Sequence, residues 1–360
     1  MGLNDYLPQF RVTANSDDIT KAIADRLKNL RLTDEAGTTS DMLEISLADN
    51  IPGEPIAVPP TGGELELFLG FNGELTRMGL FVCDEIELSG YPCEMIIRAR
   101  AAPYEASKGG KTDLQTQKTR SWKKDTTIGA MVKKIAGEHG MESAVSPELA
   151  SIKLPHTDQS SESDMNLLNR LAKRYDAIAK PAGGKLLFVK RGDSKTAGGE
   201  AMPDVTLTPD ITTNFRVTLA SRDSAGTVVA YYRDNKMAKR KEVKVGSGDP
   251  VRRLRLGYKD QASALEAAKA EQRKRARGEA TIIVDTPGNP DIRAEAMLTM
   301  KGYRDGVDGE WLVTRVEHYY GPDAGYRCSI EGELPNKNKD VSKSDSEVED
   351  EDQDGTEEGG

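Results

Sequence analysis

Apolar and polar residues alternate along much of the first hundred positions: Leu43, Ile45 and Leu47, then Leu65, Leu67 and Leu69, then Met95, Ile97 and Ala99. A period of two turns one face of a segment to a core and the other to solvent, so each run predicts a half-buried strand. Gly and Pro clusters at IPGEP and PPTGG punctuate the runs. Ile19, Ile23, Leu27 and Leu30 break the pattern, and their spacing predicts one amphipathic helix around Asp18 to Leu30. Positions 1–104 read as a β-rich domain.

From about Tyr104 to Arg191 the period lengthens to that of a helix. After a cap at Thr126, residues Ile128, Met131, Val132, Ile135 and His139 form one stripe, and Gly140 ends it. A second helix is predicted after Ser161, with Asp164 three places on as its acidic partner and Leu168, Leu171, Ala172 and Tyr175 as its apolar face. AIAK, a turn at Gly183 and Gly184, and LLFVK then predict a hairpin, so positions 105–200 read as a small α+β domain ending in the linker KRGDSKTAGGE. Strand signals resume at VTLT, NFRVTL, TVVAYY and KEVKV, pause for a helix near Ser263 to Arg277, and return at TIIV, Ala294 to Lys301 and WLVTRVEHYY. Positions 201–335 form a third, mostly β unit.

The two β units share a local pattern. LELFL runs into Gly70-Phe71, turns at Asn72-Gly73 and re-enters at Gly79; MLTMK runs into Gly302-Tyr303, turns at Asp305-Gly306 and re-enters at Gly309. Further on, Ile86-Glu87 matches Val316-Glu317. Chance likeness between hairpins explains this as well as duplication does. Duplication would put two similar β-barrels in one chain, and three chains would then offer six barrels in a ring, where symmetry itself is the function.

Charge changes the picture only at the C-terminal end. The whole chain carries 59 acidic and 50 basic residues, a net of −9, but Asn336 to Gly360 alone holds 10 acids and 3 bases. The remaining 49 acids and 47 bases leave the folded body nearly neutral. Positions 336–360, with almost no apolar residue, are expected to be a disordered acidic tail. The opening MGLNDYLPQF lacks the basic cap and apolar stretch of a secretory signal, and no run approaches the roughly 18 apolar residues of a membrane span, so no membrane insertion is expected. Cys83, Cys93 and Cys328 lack CxxC spacing and suit small buried thiols in a reducing cytoplasm.

Candidate chemistry is thin. His139, His156 and His318 are the only histidines, and none stands in HExxH or near a cysteine pair, so no metal site is expected. No G-x-S-x-G, Walker A or G-x-G-x-x-G sequence is present, and the glycine pairs at Gly109, Gly183 and Gly198 lack the strand–loop–helix setting that cradles phosphate. No catalytic residue and no cofactor is expected. Basic clusters at Arg233, Lys236, Lys239, Arg240, Lys241 and Lys244, at Arg252, Arg253 and Arg255, and at Arg273, Lys274, Arg275 and Arg277 leave a DNA-binding regulator as one alternative. Abundant carboxylates leave a cell-wall hydrolase as another, because a two-carboxylate site has no sequence signature. Against them stand solvated faces, subunit contacts and a helix start for Glu162 and Asp164.

QSSESDMNLLNRLAKRY, Gln159 to Tyr175, resembles the Q-x-x-E-S-D-x-x-x-L-x-R-L-A signature of the late control protein D family of contractile-tailed phages, and VgrG spike proteins have a similar stretch. GEWLVTRVEHYYGPDAGYRCSIEGEL is similar to the family's closing segment, and PQFRVTANSDDIT and TDEAGTTSDMLEISLAD fit its opening, so the resemblance runs from Pro8 to Leu334. It marks Gln159, Glu162, Ser163, Asp164, Leu168, Arg170, Leu171, Ala172, His318, Gly325 and Tyr326 as structural signature residues. It implies a mainly β fold in which two tube-like β-barrel domains flank the small α+β domain. It further implies a homotrimeric, pseudo-sixfold hub in the virion baseplate, assembled in the host cytoplasm. The implied partners are a tail tube protein, a separate central spike protein and a tape-measure protein in the channel, with no specific nucleic acid.

Overall fold

The computed structural model describes residues 7–37, 40–51, 53–101, 113–182, 185–192, 194, 201–220, 226–234 and 239–335. The Gly109-Gly110, Gly183-Gly184 and Gly198-Gly199 pairs, most of the expected linker and the acidic tail lie outside them.

The first β region comprises β1 (Pro8–Ala14), β2 (Asp17–Asp18), α1 (Thr20–Ala24), β3 (Leu27–Glu35), β4 (Met42–Ala48), β5 (Glu64–Phe71), β6 (Glu74–Ser89) and β7 (Glu94–Ala101). The alternating residues Leu43, Ile45 and Leu47, Leu65, Leu67 and Leu69, and Met95, Ile97 and Ala99 all point into the core. The helix expected from Asp18 to Leu30 shrinks to the single turn of α1, and Leu27 and Leu30 belong to β3. Leu30 and Leu32 face Ile45 and Leu43 across the ladder, and that cross-strand burial outweighs the local helical spacing.

The α+β region holds β8 (Gln117–Trp122), α2 (Ile128–Glu138), β9 (Glu142–Val145), α3 (Pro147–Ala150), β10 (Thr157–Ser163), α4 (Asp164–Tyr175), β11 (Ala177–Ala182) and β12 (Lys185–Lys190). The stripe of α2 and the apolar face of α4 meet in one core with Leu186 and Phe188 of β12. Both helix starts differ from expectation. Thr127, not Thr126, caps α2 by accepting from Ala130 N; Ser163, not Ser161, caps α4 by accepting from Asn166 N. Ser161 instead sits at positive φ where the register of β10 shifts against β8.

The remaining elements are β13 (Val205–Leu207), β14 (Asn214–Leu219), β15 (Thr227–Asp234), β16 (Lys239–Gly246), β17 (Val251–Tyr258), α5 (Gln261–Arg277), β18 (Ala280–Pro287), β19 (Met297–Met300), β20 (Gly309–Gly321) and β21 (Gly325–Glu333). The span expected to be one β unit is interrupted: Ser221–Gly278 belongs to a second compact unit. Its described part is a three-stranded sheet, β16-β15-β17, with α5, and it has its own core of Val228, Ala230, Val245, Ala264 and Ala268. Strand β17 went unrecognised because Arg252, Arg253 and Arg255 read as a basic cluster.

The other β-strands of the second half join those of the first in a 13-stranded sheet. Within it five strands in chain order, β3 to β7, are arranged β3-β4-β7-β6-β5, and five more, β14 and β18 to β21, are arranged β14-β18-β21-β20-β19. The two orders are the same, and every pairing within each set is antiparallel. Cys83 pairs with Ala99, Ala99 with Leu43, Leu43 with Leu32; likewise Val313 pairs with Gly332, Gly332 with Ile282, Ile282 with Val217. The register shifts just past Cys83 in β6 and just past Val313 in β20. This correspondence aligns Asn29-Leu-Arg-Leu-Thr33 with Asn214-Phe-Arg-Val-Thr218. The strand beyond each hairpin differs: β1 runs antiparallel to β5, β13 parallel to β19.

Candidate functional site

The signature segment spans the end of β10 and the start of α4, and its polar residues converge on a buried carboxylate. Asp164 has no exposed surface. Its Oδ1 accepts from Arg120 Nη2 at 2.6 Å and Gln159 Nε2 at 2.8 Å. Its Oδ2 accepts from Lys118 Nζ at 2.7 Å and lies 2.8 Å from His139 Nε2. Burial alone would raise the carboxyl's pKa, but the bonds from His139, Lys118 and Gln159 and the charge of Arg120 outweigh it and hold the value at about 2. Asp164 therefore does not cap its own helix, the duty expected of it; Ser163 does that.

The other signature residues build the frame. Gln159, also fully buried, accepts from Arg120 Nε at 2.9 Å and donates to the Glu162 carbonyl at 2.9 Å. Glu162 holds Arg170 through both its oxygens, at 3.1 and 2.8 Å, and Arg170 reaches back to the Asp158 carbonyl. Leu168, Leu171 and Ala172 lie in the apolar core beneath. Four contributors were not singled out in the sequence: Lys118, Arg120 and Trp122 on β8, and Glu138 at the end of α2. Arg120 Nη1 lies 2.7 Å from both Glu138 oxygens, and its guanidinium sits 4.6 Å over the Trp122 ring. The available signal was the period-2 run Lys118-Arg120-Trp122, which puts these side chains on one face of a strand.

His318, Gly325 and Tyr326 form a second, separate cluster. His318 is fully buried on β20, with Nδ1 2.8 Å from the Tyr326 hydroxyl and Nε2 3.1 Å from the Ile292 carbonyl. Burial, aided by the charge of Arg293, pushes its pKa down to about 3, so the ring is neutral, donating from Nε2 and accepting at Nδ1. Gly325 opens β21 at φ +68°, in the tight turn that brings Tyr326 back beside His318. His156 is exposed beside Asp158.

An open cleft of about 810 Å³ lies between the α+β region and the sheet, lined among others by Asp34, Asp41, Lys180 and Glu295. Lys180 of β11 reaches Asp41 at 2.6 Å and the Glu35 carbonyl at 3.3 Å, fastening the two together. Burial raises Asp34 to about 6, with the neighbouring Asp41 adding to it, and burial raises Glu295 to about 7.

The signature cluster is not a constellation for proton transfer. General acid–base work needs a carboxyl that meets substrate; Asp164 is sealed by its donors, and Glu138, though burial opposes it, is lowered by Arg120 and Lys118. The basic clusters are partly neutralised in place. Arg253 binds Tyr231 Oη and Glu242, Lys244 binds Glu242, Arg275 binds Glu271, and Arg240 stacks on Tyr231. Lys236 lies outside the described residues. Around Asp164 the arrangement holds shape, with the carboxylate committed to four partners.

Comparison with known proteins gives the setting. The family model described as phage tail baseplate hub (GPD) matches residues 93–324. A protein of Escherichia phage P2 named "Probable baseplate hub protein" is 33% identical, covering 91% of this chain and 93% of its own. Among solved structures, the 43 kDa tail protein of prophage MuSo2 from Shewanella oneidensis matches with a TM-score of 0.66 at 14% identity, over 91% of this chain and 98% of that one. The E. coli c3393 protein, a type VI secretion component, matches with a TM-score of 0.54 at 10% identity, over 87% and 74%.

Proposed function

Because the chain belongs to the phage tail baseplate hub (GPD) family, we propose that it acts there as a non-enzymatic, homotrimeric adaptor between a hexameric tail tube and a trimeric spike. The observation that carries this reading is the repeated five-strand order in one chain. Each copy is read as a tube-like barrel module, so three chains supply six modules to a ring. The ring meets sixfold order on one side and threefold order on the other. The span 1–104 supplies one module and 201–335 the other, less the inserted unit, and the α+β domain of 105–200 braces them. A tape-measure segment in the channel fits the same reading, as does a solvated acidic tail at 336–360.

The clusters at Asp164 and His318 serve this role as rigid fastenings, which suits a part that transmits force. Sedimentation of the full chain, alone and with the tube and spike proteins of its own phage, tests the proposal. A trimeric mass and a complex with both partners are expected; a monomer under every one of these conditions refutes it. Turnover of peptidoglycan by the purified chain would instead establish the hydrolase reading.

A further inference from the structure

We infer that β6, from Glu85 to Ser89, pairs antiparallel with β14 of a second copy of this chain, in the register that the chain already uses at its own internal seam. The inference rests on the ring reading and specifies its contact.

Each long strand of the repeat serves two neighbours in succession. β20 pairs with β19 from Gly309 to Leu312, and from Arg315 to Tyr320 it pairs with β3, which belongs to the other module. That second stretch is the seam between the modules. β6, its counterpart, pairs with β5 from Glu74 to Val82; past that point it pairs with β7 alone among the described residues. The counterpart of β3 is β14, which ends the order of the sheet and pairs with β18 alone among the described residues. The chain thus joins one acceptor edge to one donor edge internally and leaves the equivalent two open. Six strands separate them in the sheet order, so they do not meet within one chain.

Exposure follows the vacancy. At the closed seam Leu30, Leu32 and His318 are at most 1% exposed. At the open edges their counterparts include Phe215 at 41% and Leu88 at 57%, and Leu219 stands at 69%. Exposed apolar edge strands invite pairing, and proteins normally blunt them.

Carrying the seam register across the repeat fixes the partners. Glu317 faces Thr33, His318 faces Leu32 and Val316 faces Asp34. The equivalent positions set Glu87 opposite Thr218 of the partner subunit, Leu88 opposite Val217 of the partner subunit and Ile86 opposite Leu219 of the partner subunit. Apolar side chains then meet on one face. On the other, the Arg31–Glu317 ion pair of the seam, 3.4 Å, has both members repeated as Arg216 and Glu87. The edges therefore repeat the charge pair of a contact the molecule already makes, with apolar Leu88 and Leu219 in the places of His318 and Asp34; Glu87 also holds Arg98 of its own chain at 2.9 Å. A head-to-tail contact of this kind closes into a ring or grows into a filament, and closure after three chains is the outcome expected here.

The test is disulfide trapping in the full chain with Cys93→Ser. The double variant Glu87→Cys/Thr218→Cys, oxidised after assembly, is expected to give a covalent ladder ending at the trimer. Either single-cysteine variant alone gives none, and a mixture of the two gives a covalent dimer. Leu88→Cys/Thr218→Cys, one residue out of register and on opposite faces, should not link. Reversal by Glu87→Arg should weaken the trimer at least tenfold, and Arg216→Glu in the same chain should restore it. A trimer by sedimentation that does not link at the predicted pair overturns this contact and leaves the trimeric hub standing. A monomer that does not link overturns both. A ladder continuing past the trimer overturns the closed ring.

Discussion

Replacing Asp164 by alanine removes an acceptor that Arg120, Gln159, Lys118 and His139 share. Its carboxyl sits at about 2 in the fold against an ordinary 3.8. That difference is worth about 2.5 kcal/mol between the ionised and protonated forms. Removing one member of a buried ion pair costs about 3–5 kcal/mol, because the remaining charge stays desolvated. Here Lys118 and Arg120 keep Glu138 and are partly exposed, so the lower end, about 3 kcal/mol, is expected. Ser163→Ala provides the internal yardstick. It removes the true cap of α4 and should cost about 1 kcal/mol.

Hydrogen exchange of the α4 amides across a urea series reports both variants in the region concerned. Asp164→Asn should fall between them: it keeps the shape, loses the charge and turns an amide N–H toward existing donors. The sign with pH is fixed by the lowered value. The contribution of Asp164 is fully present above pH 3.8 and is lost as pH falls through about 2. A cost for Asp164→Ala no greater than that for Ser163→Ala would refute the view of this residue as the anchor of the signature segment.

Two further predictions concern other buried titratable groups. Glu295 is raised from 4.5 to about 7, so its ionisation works against the fold, and stability should decline as pH rises through that interval. Glu295→Gln should be more stable than the natural chain at pH 8, by at most about 3 kcal/mol, and the gap should close by pH 4.5 in urea titrations. His318 is depressed from 6.5 to about 3, so its contribution is present above pH 6.5 and lost as pH falls toward 3, about 5 kcal/mol in all. His318→Gln should lose stability at neutral pH yet show a flatter dependence across that interval. An unchanged slope would mean that another group carries it.

The strands were legible where one face is buried and the other is not, as at Leu43 to Leu47 and Leu65 to Leu69. Such alternation is a direct imprint of burial. The Ile19-to-Leu30 spacing misled because helix and strand readings both fit a short apolar set; the pairing of β3 with β4 and β20, remote in sequence, decided between them. That error concealed the better half of the repeat. With Asn29 to Thr33 assigned to a helix, their likeness to Asn214 to Thr218 could not register, and only the hairpin match remained. The site was legible as a signature but not as a mechanism. Asp164's charged partners on β8 lie more than 40 residues away, and local reasoning offered only the nearest duty for a carboxylate, a helix start.

The repeat also explains where the chain has been elaborated. In the first module β3 ends at Glu35 and β4 begins at Met42. In the second, the equivalent connection from β14 to β18 carries the whole compact unit within Ser221–Gly278. Loops at the rim of a sheet tolerate such insertions because their cost grows slowly with length. The sheet does not share that freedom. A slip of one residue in β3 or β14 would turn Leu32 or Val217 away from the core, so both keep the Asn-x-Arg-x-Thr spacing and both long strands keep their register shift at the same place. What the two modules hold in common is therefore the set of residues that fixes the edges, and what differs lies in the loops and in the strand beyond each hairpin. A part built from repeated strand pairings can take a whole folded unit into one connection while the pairings on either side of it keep their register.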